Sequence, residues 1–522
     1  MAKYLMAMDA GTGSVRAVIF STEGDQVGCV QKEWTHNEDP RWPGSMDFDW
    51  TTNWELARTC VSEVLAKTGI DACDIAAVST TCMREGILLY DKDGKEIWAC
   101  ANVDARSNDE VGELIAMNPD LEAELYRESG QTYALGALPR LLWVKNKMPE
   151  VYEKTARIGM FNDWLIYKLT GELAVEPSNG STTGIMSLET RNWDPSIAER
   201  CGLRTDIFGP VKESGELAGT VSAKGAADTG LAEGTPVIVG GGDCQLGMIG
   251  VGACLPGQAG VFGGSFWQYE FNTDNAATDP DCRVRVNCHA TPGVWQYEAL
   301  AFKPGLVMRW FRDGFCQAEK EQAKAEGRDV YDVMNEKAAN IPAGSYGMVC
   351  CFSDIMNYIH WTHAAPTFTN FELEPEKFNK YTFYRAILEN TALLVRGHIE
   401  LVREATGNEP EELMFGGGAA KSPLWSQIVA DVTGKRVKVP VVKEATALGA
   451  AIIAGTGVGI YPSVAEGAAK VVKYDTTYEP NPENAAVYEE LYQTWKKVYK
   501  QQFELSEAGV TKSMWRAPGL SR

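Results

Sequence analysis

Asp9-Ala10-Gly11-Thr12-Gly13-Ser14-Val15-Arg16 is a glycine-paired turn set between two β-rich runs, Tyr4–Met8 and Val15–Phe20. A third strand is expected at Gln26–Glu33, after the turn signal Glu23-Gly24-Asp25. Glycines in such a turn let backbone N–H groups approach phosphate oxygens, and Thr12 and Ser14 add hydroxyl donors. The carboxylate at the strand end, Asp9, suits Mg²⁺ held directly or through water. No Gly-Lys-Ser/Thr follows, so the stretch is not a P-loop. Taken alone, it also describes an ordinary hairpin turn.

The strand–glycine turn–strand pattern returns, without close identity, over residues 236–267. Pro236–Val239 reads as a buried strand ending in Gly240-Gly241-Gly242-Asp243. A lone carboxylate after three flexible residues suits a general base that takes a hydroxyl proton. A helix N-cap is the structural alternative for Asp243. Gln258–Gln268 reads as a strand pair broken by Gly263-Gly264-Ser265, again rich in N–H donors. A fourth turn, Gly416-Gly417-Gly418-Ala419, follows the strand Leu413–Phe415 and leads to a helix over Ser422–Thr433. Ser422 is its N-cap and Pro423 its first residue. There a flat purine and its ribose can pass close to the backbone. Each turn alone is weak evidence, but four in this order at strand ends point to nucleotide chemistry.

Composition sets the limits. The 522 residues suggest two to four domains at roughly 150 residues each. Hydrophobic residues at 45% and charged ones at 23% are ordinary for a globular protein. The net charge of −21 repels nucleic acid and anionic lipid, so neither is an expected partner. An anionic ligand must then be held by local backbone N–H groups and a metal ion, which 51 glycines make feasible. The opening MAKYLMAMDAG lacks a signal peptide's longer apolar stretch. Ala445–Ile460 is glycine-broken and too short for a membrane span. Thirteen cysteines without Cys-x-x-Cys spacing read as free thiols. His360 and His363 read as structural histidines, with no partner at zinc-site spacing. A cytoplasmic location is expected.

Thr52 and Glu55 have capping-box spacing and predict a helix to about Lys67. Strands at Ile75–Thr80 and Gly86–Tyr90 follow, then mostly helices to Leu169. Further helices are expected at Asn379–Thr406, Glu444–Ala454 and Pro482–Leu505, with a strand at Val437–Val441. No long linker interrupts the chain, which favours closely packed α/β domains.

These motifs resemble the FGGY family of carbohydrate kinases, members of the actin-like ATPase fold. The matching segments are Asp9–Arg16, Val239–Asp243, Val261–Trp267, Phe415–Trp425 and Glu444–Ala451 (EATALGAA), in the family's order. A closer likeness to one branch rests on CMREGILLY (82–90), WACANVDAR (98–106), RLLW (140–143), MRWFRD (308–313), VVKEATALG (441–449) and the tail Ser513–Leu520.

The resemblance implies a two-domain α/β, actin-like (ribonuclease H-like) fold with an interdomain cleft. Residues 1–252 would carry the first phosphate loop, the base and the substrate side. Residues 253–522 would carry the second phosphate loop, the adenine site and a last helix packing back on the first domain. ATP and Mg²⁺ are the implied cofactors. Asp243 would be the base, with Asp9 on the metal side and Asp243 sharing that role. Gly11, Thr12, Gly13, Ser14 and Arg16 would form the first nucleotide loop, Gly263, Gly264 and Ser265 the second. Gly416, Gly417, Gly418 and Ala419, with the EATALGAA segment, would form the adenine side.

Relatives commonly have Gly-Thr-Ser in the second loop, so Gly264 lacks a hydroxyl. Arg84 and Glu85 match the pair that holds polyol hydroxyls in the glycerol kinase branch, and Gln245 is a further substrate ligand. Asn102, Asp104 and Arg106 match an Asn-Asp-x-Arg-like segment, from which Asp104 is a substrate residue. Surface charges (Arg84, Glu85) and a helix-start ion pair (Asp104, Arg106) are the structural alternatives. The glycerol branch's tyrosine falls near Leu135-Gly136, with Tyr133 only close by, which argues against glycerol. The implied substrate is a small dihydroxy-dione, phosphorylated at its terminal hydroxyl. A ketose or polyol kinase and a catalytically silent sugar sensor are the alternatives. A homo-oligomer or a protein regulator is compatible with this reading.

Overall fold

Strands β1 (Tyr4–Ala10), β2 (Ser14–Ser21) and β3 (Gln26–Glu33) form the antiparallel meander expected from the first turn. The computed structural model describes residues 3–442 and 444–517. Strands β4 (Ile75–Cys82), β5 (Leu217–Thr220) and β6 (Pro236–Gly242) complete a six-stranded sheet of order β5-β6-β4-β1-β2-β3. β1, β4 and β6 run parallel, so their carboxyl ends open on one edge. In open α/β sheets that edge is where ligands bind.

Alternation in β1 sends Met6 and Met8 to one face, against helices α1 (Trp50–Thr68) and α2 (Phe161–Thr170). Leu5 and Ala7 face the other side. Helix α1 starts earlier than its predicted capping box. Asp49 accepts hydrogen bonds from the N–H groups of Thr51 and Thr52 and from the Thr52 hydroxyl, so the cap lies one turn upstream. Helix α3 (Asp243–Gly250) follows β6 directly.

The second sheet repeats the plan. Strands β7 (Ala259–Gly263), β8 (Trp267–Thr273), β9 (Arg285–Cys288), β10 (Trp295–Ala301), β11 (Glu412–Gly416), β12 (Arg436–Pro440) and β13 (Tyr474–Tyr478) lie in the order β9-β10-β8-β7-β11-β12-β13. An antiparallel turn at β7–β8 and parallel β7, β11 and β12 mirror β1–β2 with β1, β4 and β6. The protein is therefore a duplicated, two-sheet mixed α/β molecule. Helices α4 (Pro304–Phe315), α5 (Lys380–Thr406), α6 (Pro423–Thr433), α7 (Ala445–Gly457) and α8 (Ala485–Glu507) belong to this part of the chain. Ser422 caps α6 and Pro423 opens it, as the sequence predicts.

Two helices exchange the expected roles. Tyr488, Leu491, Tyr492, Trp495 and Tyr499 of α8 join the second sheet's core, not the first. Helix α7 is apolar all round, and it packs its Ala447, Leu448, Ala451 and Ile452 against Leu5, Ala7, Val18 and Phe20 of the first sheet. It crosses α3 at backbone contact. A Cβ on Gly449 would sit 1.9 Å from the Leu246 carbonyl, and one on Gly250 1.8 Å from that of Ala445. All thirteen cysteines are free. Among the described residues, no helix is long and apolar enough to cross a membrane.

Candidate active site

The first glycine turn is held from behind. Trp34 Nε1 donates to the carbonyls of Gly11 (3.0 Å) and Thr12 (3.1 Å), Trp34 N donates to Gly13 O, and the His36 ring meets Thr12 O at 2.6 Å. With these carbonyls engaged on one side, the amides of Thr12 and Gly13 bond no group among the described residues. Thr12 and Gly13 are exposed, and Ser14 is buried at the start of β2. Asn102 Nδ2 donates to the Thr12 hydroxyl at 3.0 Å. The geometry is that of an anion cradle.

Across the cleft, Ser265 is exposed at the β7–β8 turn, closed by Gly264 N–H donating to Phe266 O (2.9 Å). Gly417 crosses this turn at φ +85°, where a Cβ would lie 2.7 Å from Gly263 O. Only glycine permits that approach. The third and fourth turns, with buried Gly416 and Ala419 and exposed Gly418, therefore form one surface.

Asp243 is the first residue of α3, and Gly242 holds the N-cap position, so the N-cap alternative is excluded. Its carboxylate is 35% exposed, and Arg84 Nε lies 3.3 Å away. Burial raises its pKa and Arg84 opposes the rise. Burial pushes Asp9 up to about 6, with Arg16 opposing and Asp243 and Glu444 adding to it. Arg16 bridges Asp9 (3.3 Å) and Glu444, and the Thr446 hydroxyl donates to the Asp243 carbonyl (3.3 Å). The start of EATALGAA thus lies beside the first turn and Asp243. Its crossing helix explains this, since α7 leaves the second sheet to pack on the first.

Asp9 and Asp243 feel each other's charge, and each also has an arginine at 3.3 Å; their carboxylate oxygens are the hard donors that Mg²⁺ takes. Among the described residues, Cys244, Glu270 and Glu298 also bring ligand atoms within 4.8 Å of one another. Arg84 and Arg285 already neutralise that cluster, so it reads as an ion network.

Arg84 and Glu85 are buried, which rules out the surface-charge alternative. Glu85 adopts φ +61°, and this kink turns both side chains inward. Arg84 pairs with Glu298, and Glu85 Oε1 accepts from Arg285 at 2.5 Å. Burial raises the Glu85 pKa, but Arg285 and Arg84 bring it below the usual range. Arg140 holds the Glu85 carbonyl and those of Asn102 (2.7 Å) and Asp104 (2.9 Å).

The Asp104 carboxylate accepts from Met46 N–H (2.6 Å) and from Arg106 (2.8 Å). The ion-pair alternative therefore describes it, and its geometry is that of a loop brace presenting Asn102. Gln245 is fully buried beside Asp243, and neither end of its amide has a partner among the described residues.

The wall facing these residues escaped the sequence reading. Glu270 lies opposite Glu298 on β8 and β10, and Arg285 opposite Glu298 on β9. Glu298 is bonded by Arg84 and Arg285, while both Glu270 oxygens and the Gln296 amide are buried without a partner among the described residues. Burial and Glu298 hold Glu270 well above the usual carboxylate range. Buried polar groups are normally satisfied, so orphan groups gathered around a base mark a place for a polar ligand.

Residues 4–250 and 275–458 match the N- and C-terminal domains of the FGGY family of carbohydrate kinases. The chain belongs to that family. The autoinducer-2 kinase of Salmonella typhimurium is 51% identical over 518 residues, covering 99% of this chain and 98% of that one. The autoinducer-2 kinase of Yersinia enterocolitica is 50% identical over the same shares. The xylulose kinase of Rhodospirillum rubrum shares the fold at TM-score 0.86 and 23% identity, covering 97% of this chain and all of that one. The glycerol kinase of Plasmodium falciparum does so at 0.81 and 19%, covering 95% and 98%. This FGGY kinase is an ATP-dependent enzyme on a two-domain fold.

Two expectations arise here. A Cβ at Gly264 of this kinase meets only Phe266 O at 3.6 Å, so a side chain fits. Gly264→Thr should therefore fold normally and tighten ATP roughly tenfold, the order expected of one added hydrogen bond to a charged group. Calorimetric titration showing no gain would place the loop away from the phosphates. Arg84→Met should raise the Asp243 pKa further, because the neighbouring cation that opposes the effect of burial is lost. A base must be ionised, so the acid limb of kcat against pH should move upward. An unmoved limb would separate Arg84 from the base.

Proposed function

We propose that this kinase phosphorylates autoinducer-2, in its open-chain form 4,5-dihydroxy-2,3-pentanedione, at the terminal 5-hydroxyl. The observation that carries the reading is likeness of about one residue in two to autoinducer-2 kinases along 99% of the chain. Asp243 accepts the proton of the 5-hydroxyl as its oxygen attacks the γ-phosphorus, and ADP leaves. Arg84 keeps Asp243 charged enough to act, and the free amides of Thr12 and Gly13 donate to phosphate oxygens. Ser265 and Gly264 approach the phosphates from the other sheet, and the purine lies along Gly416–Ala419. Asp9 and Asp243 would hold Mg²⁺, which when bound supplies positive charge to the β- and γ-phosphates.

Gln245, Glu85 and the β8–β10 wall supply hydrogen bonds to the diol and dione oxygens. The free cysteines suit a reducing cytoplasm. An ADP-release assay across the dione, ribulose, xylulose and glycerol tests the assignment. The dione should give the highest kcat/KM by at least ~100-fold, about 2.7 kcal/mol of transition-state discrimination. A higher value for a ketose or polyol would reassign the substrate.

A further inference from the structure

The tail stretch from Ser513 onward has no part in the chemistry above, yet it is anchored beside the second phosphate loop. Its last residues, Pro518–Leu520, lie outside the described residues. Trp515 and Arg516 pair as a short strand with His363 and Thr362. Met514 N–H donates to His363 O and Ala517 N–H to Trp361 O, both at 2.9 Å. From this anchorage two routes reach the loop.

The Trp515 ring stacks on Phe302 at 4.2 Å and 13°, and Phe302 meets Phe266 edge-on at 5.1 Å. Phe266 directly follows Ser265. The second route runs through the backbone. Lys303, at φ +73°, reaches Met514 O with its ammonium (3.0 Å) just before α4 begins at Pro304. The first turn of α4 abuts the loop, since a Cβ on Gly305 would lie 2.0 Å from Gly264 O. Residues 302–305 are thus clamped between the tail and the loop.

We propose that Met514–Ala517 is a positioning strap that fixes the Gly263–Ser265 turn for the ATP phosphates. Trp515 is its positioning residue, acting through Phe302. An aromatic stack of this kind contributes beyond its buried area and fixes ring orientation. Without it, Phe302 and the α4 start lose the surface that sets their place, and the loop amides lose their aim. The strap rests on reading Gly263–Ser265 as a phosphate loop, and the test separates the two.

Trp515→Ala, Trp515→Phe and the loop variant Gly264→Asp, which puts a carboxylate where the phosphates would lie, are compared in the full-length kinase. Trp515→Ala should raise the KM for ATP about tenfold, a modest misalignment on the scale of 1.4 kcal/mol per tenfold. The acceptor KM and the affinity for AMP, which lacks the outer phosphates, should stay within twofold of the parent, about 0.4 kcal/mol on the same scale. Trp515→Phe, which keeps a stacking ring, should restore most of the loss. A purely structural role would lower the melting temperature and move ATP and AMP together. Unchanged ATP affinity in Trp515→Ala, or equal loss for AMP, overturns the strap. If Gly264→Asp also leaves ATP affinity unchanged, the loop reading falls with it. If only Gly264→Asp weakens ATP, the loop stands and the strap alone fails.

Discussion

Asp243→Asn is expected to slow turnover by about two to four orders of magnitude, the usual worth of a positioned general base. The carboxamide keeps the shape of the side chain and its place at the first turn of α3, but it cannot accept the hydroxyl proton. Arg84, 3.3 Å from the carboxylate, still pairs with Glu298, so the wall of the cleft should stay intact. ATP affinity should therefore change little, and single-turnover kinetics should place the whole loss in the chemical step. Near-parental turnover would remove Asp243 from the mechanism.

Glu298→Gln is expected to have the largest effect on stability. Glu298 is fully buried and serves two guanidiniums, Arg84 from the first part of the chain and Arg285 from the second, with Asn287 Nδ2 at 3.4 Å. Removing one partner of a buried ion pair leaves an uncompensated charge at a cost on the order of 3–5 kcal/mol. Denaturant unfolding should show this loss, and kcat/KM should fall by at least ~100-fold as Arg84 loses its anchor. Unfolding within about 1 kcal/mol of the parent, the range of exposed pairs, would mean that the network carries little energy. Glu85→Gln should be milder, because Arg285 retains Glu298.

The four glycine turns and Asp243 were legible because turn chemistry is local, written in adjacent residues. Arg285, Glu298, Glu270 and Gln296 were not. Trp267-Gln268-Tyr269-Glu270-Phe271-Asn272 and Trp295-Gln296-Tyr297-Glu298 alternate apolar and polar residues. In an antiparallel strand that pattern ordinarily means one face in water. Here the polar face is buried as a wall of the cleft, and only the strand order β9-β10-β8 reveals it. The signal was the repeat of charged residues opposite one another in two strands.

Trp34 and His36 were likewise invisible, since their role is to hold carbonyls more than twenty residues away. Helix α7 was recognisable as a helix from its composition. Its close crossing with α3 depends on the absence of side chains at Gly250 and Gly449, a pairing that sequence alone does not name. Asp104 was misplaced because a motif match specifies residue type, whereas Arg106 and Met46 decide which way a carboxylate points.

The crossing of α3 and α7 has a mechanical consequence. Displacement in a rotation grows with distance from the axis, and at this crossing the two parts of the chain touch backbone to backbone, as they also do where Val286 N–H donates to Gly130 O. Asp243 begins one helix and Glu444 immediately precedes the other, so both lie within about two turns of the fulcrum, ~11 Å at 5.4 Å per turn. A hinge-like rotation about it would leave the base almost stationary against Asp9 and Arg16 while the Gly263–Ser265 turn swings on the longer arm. Opening the cleft for ADP to depart would then leave the proton acceptor set for the next acceptor molecule.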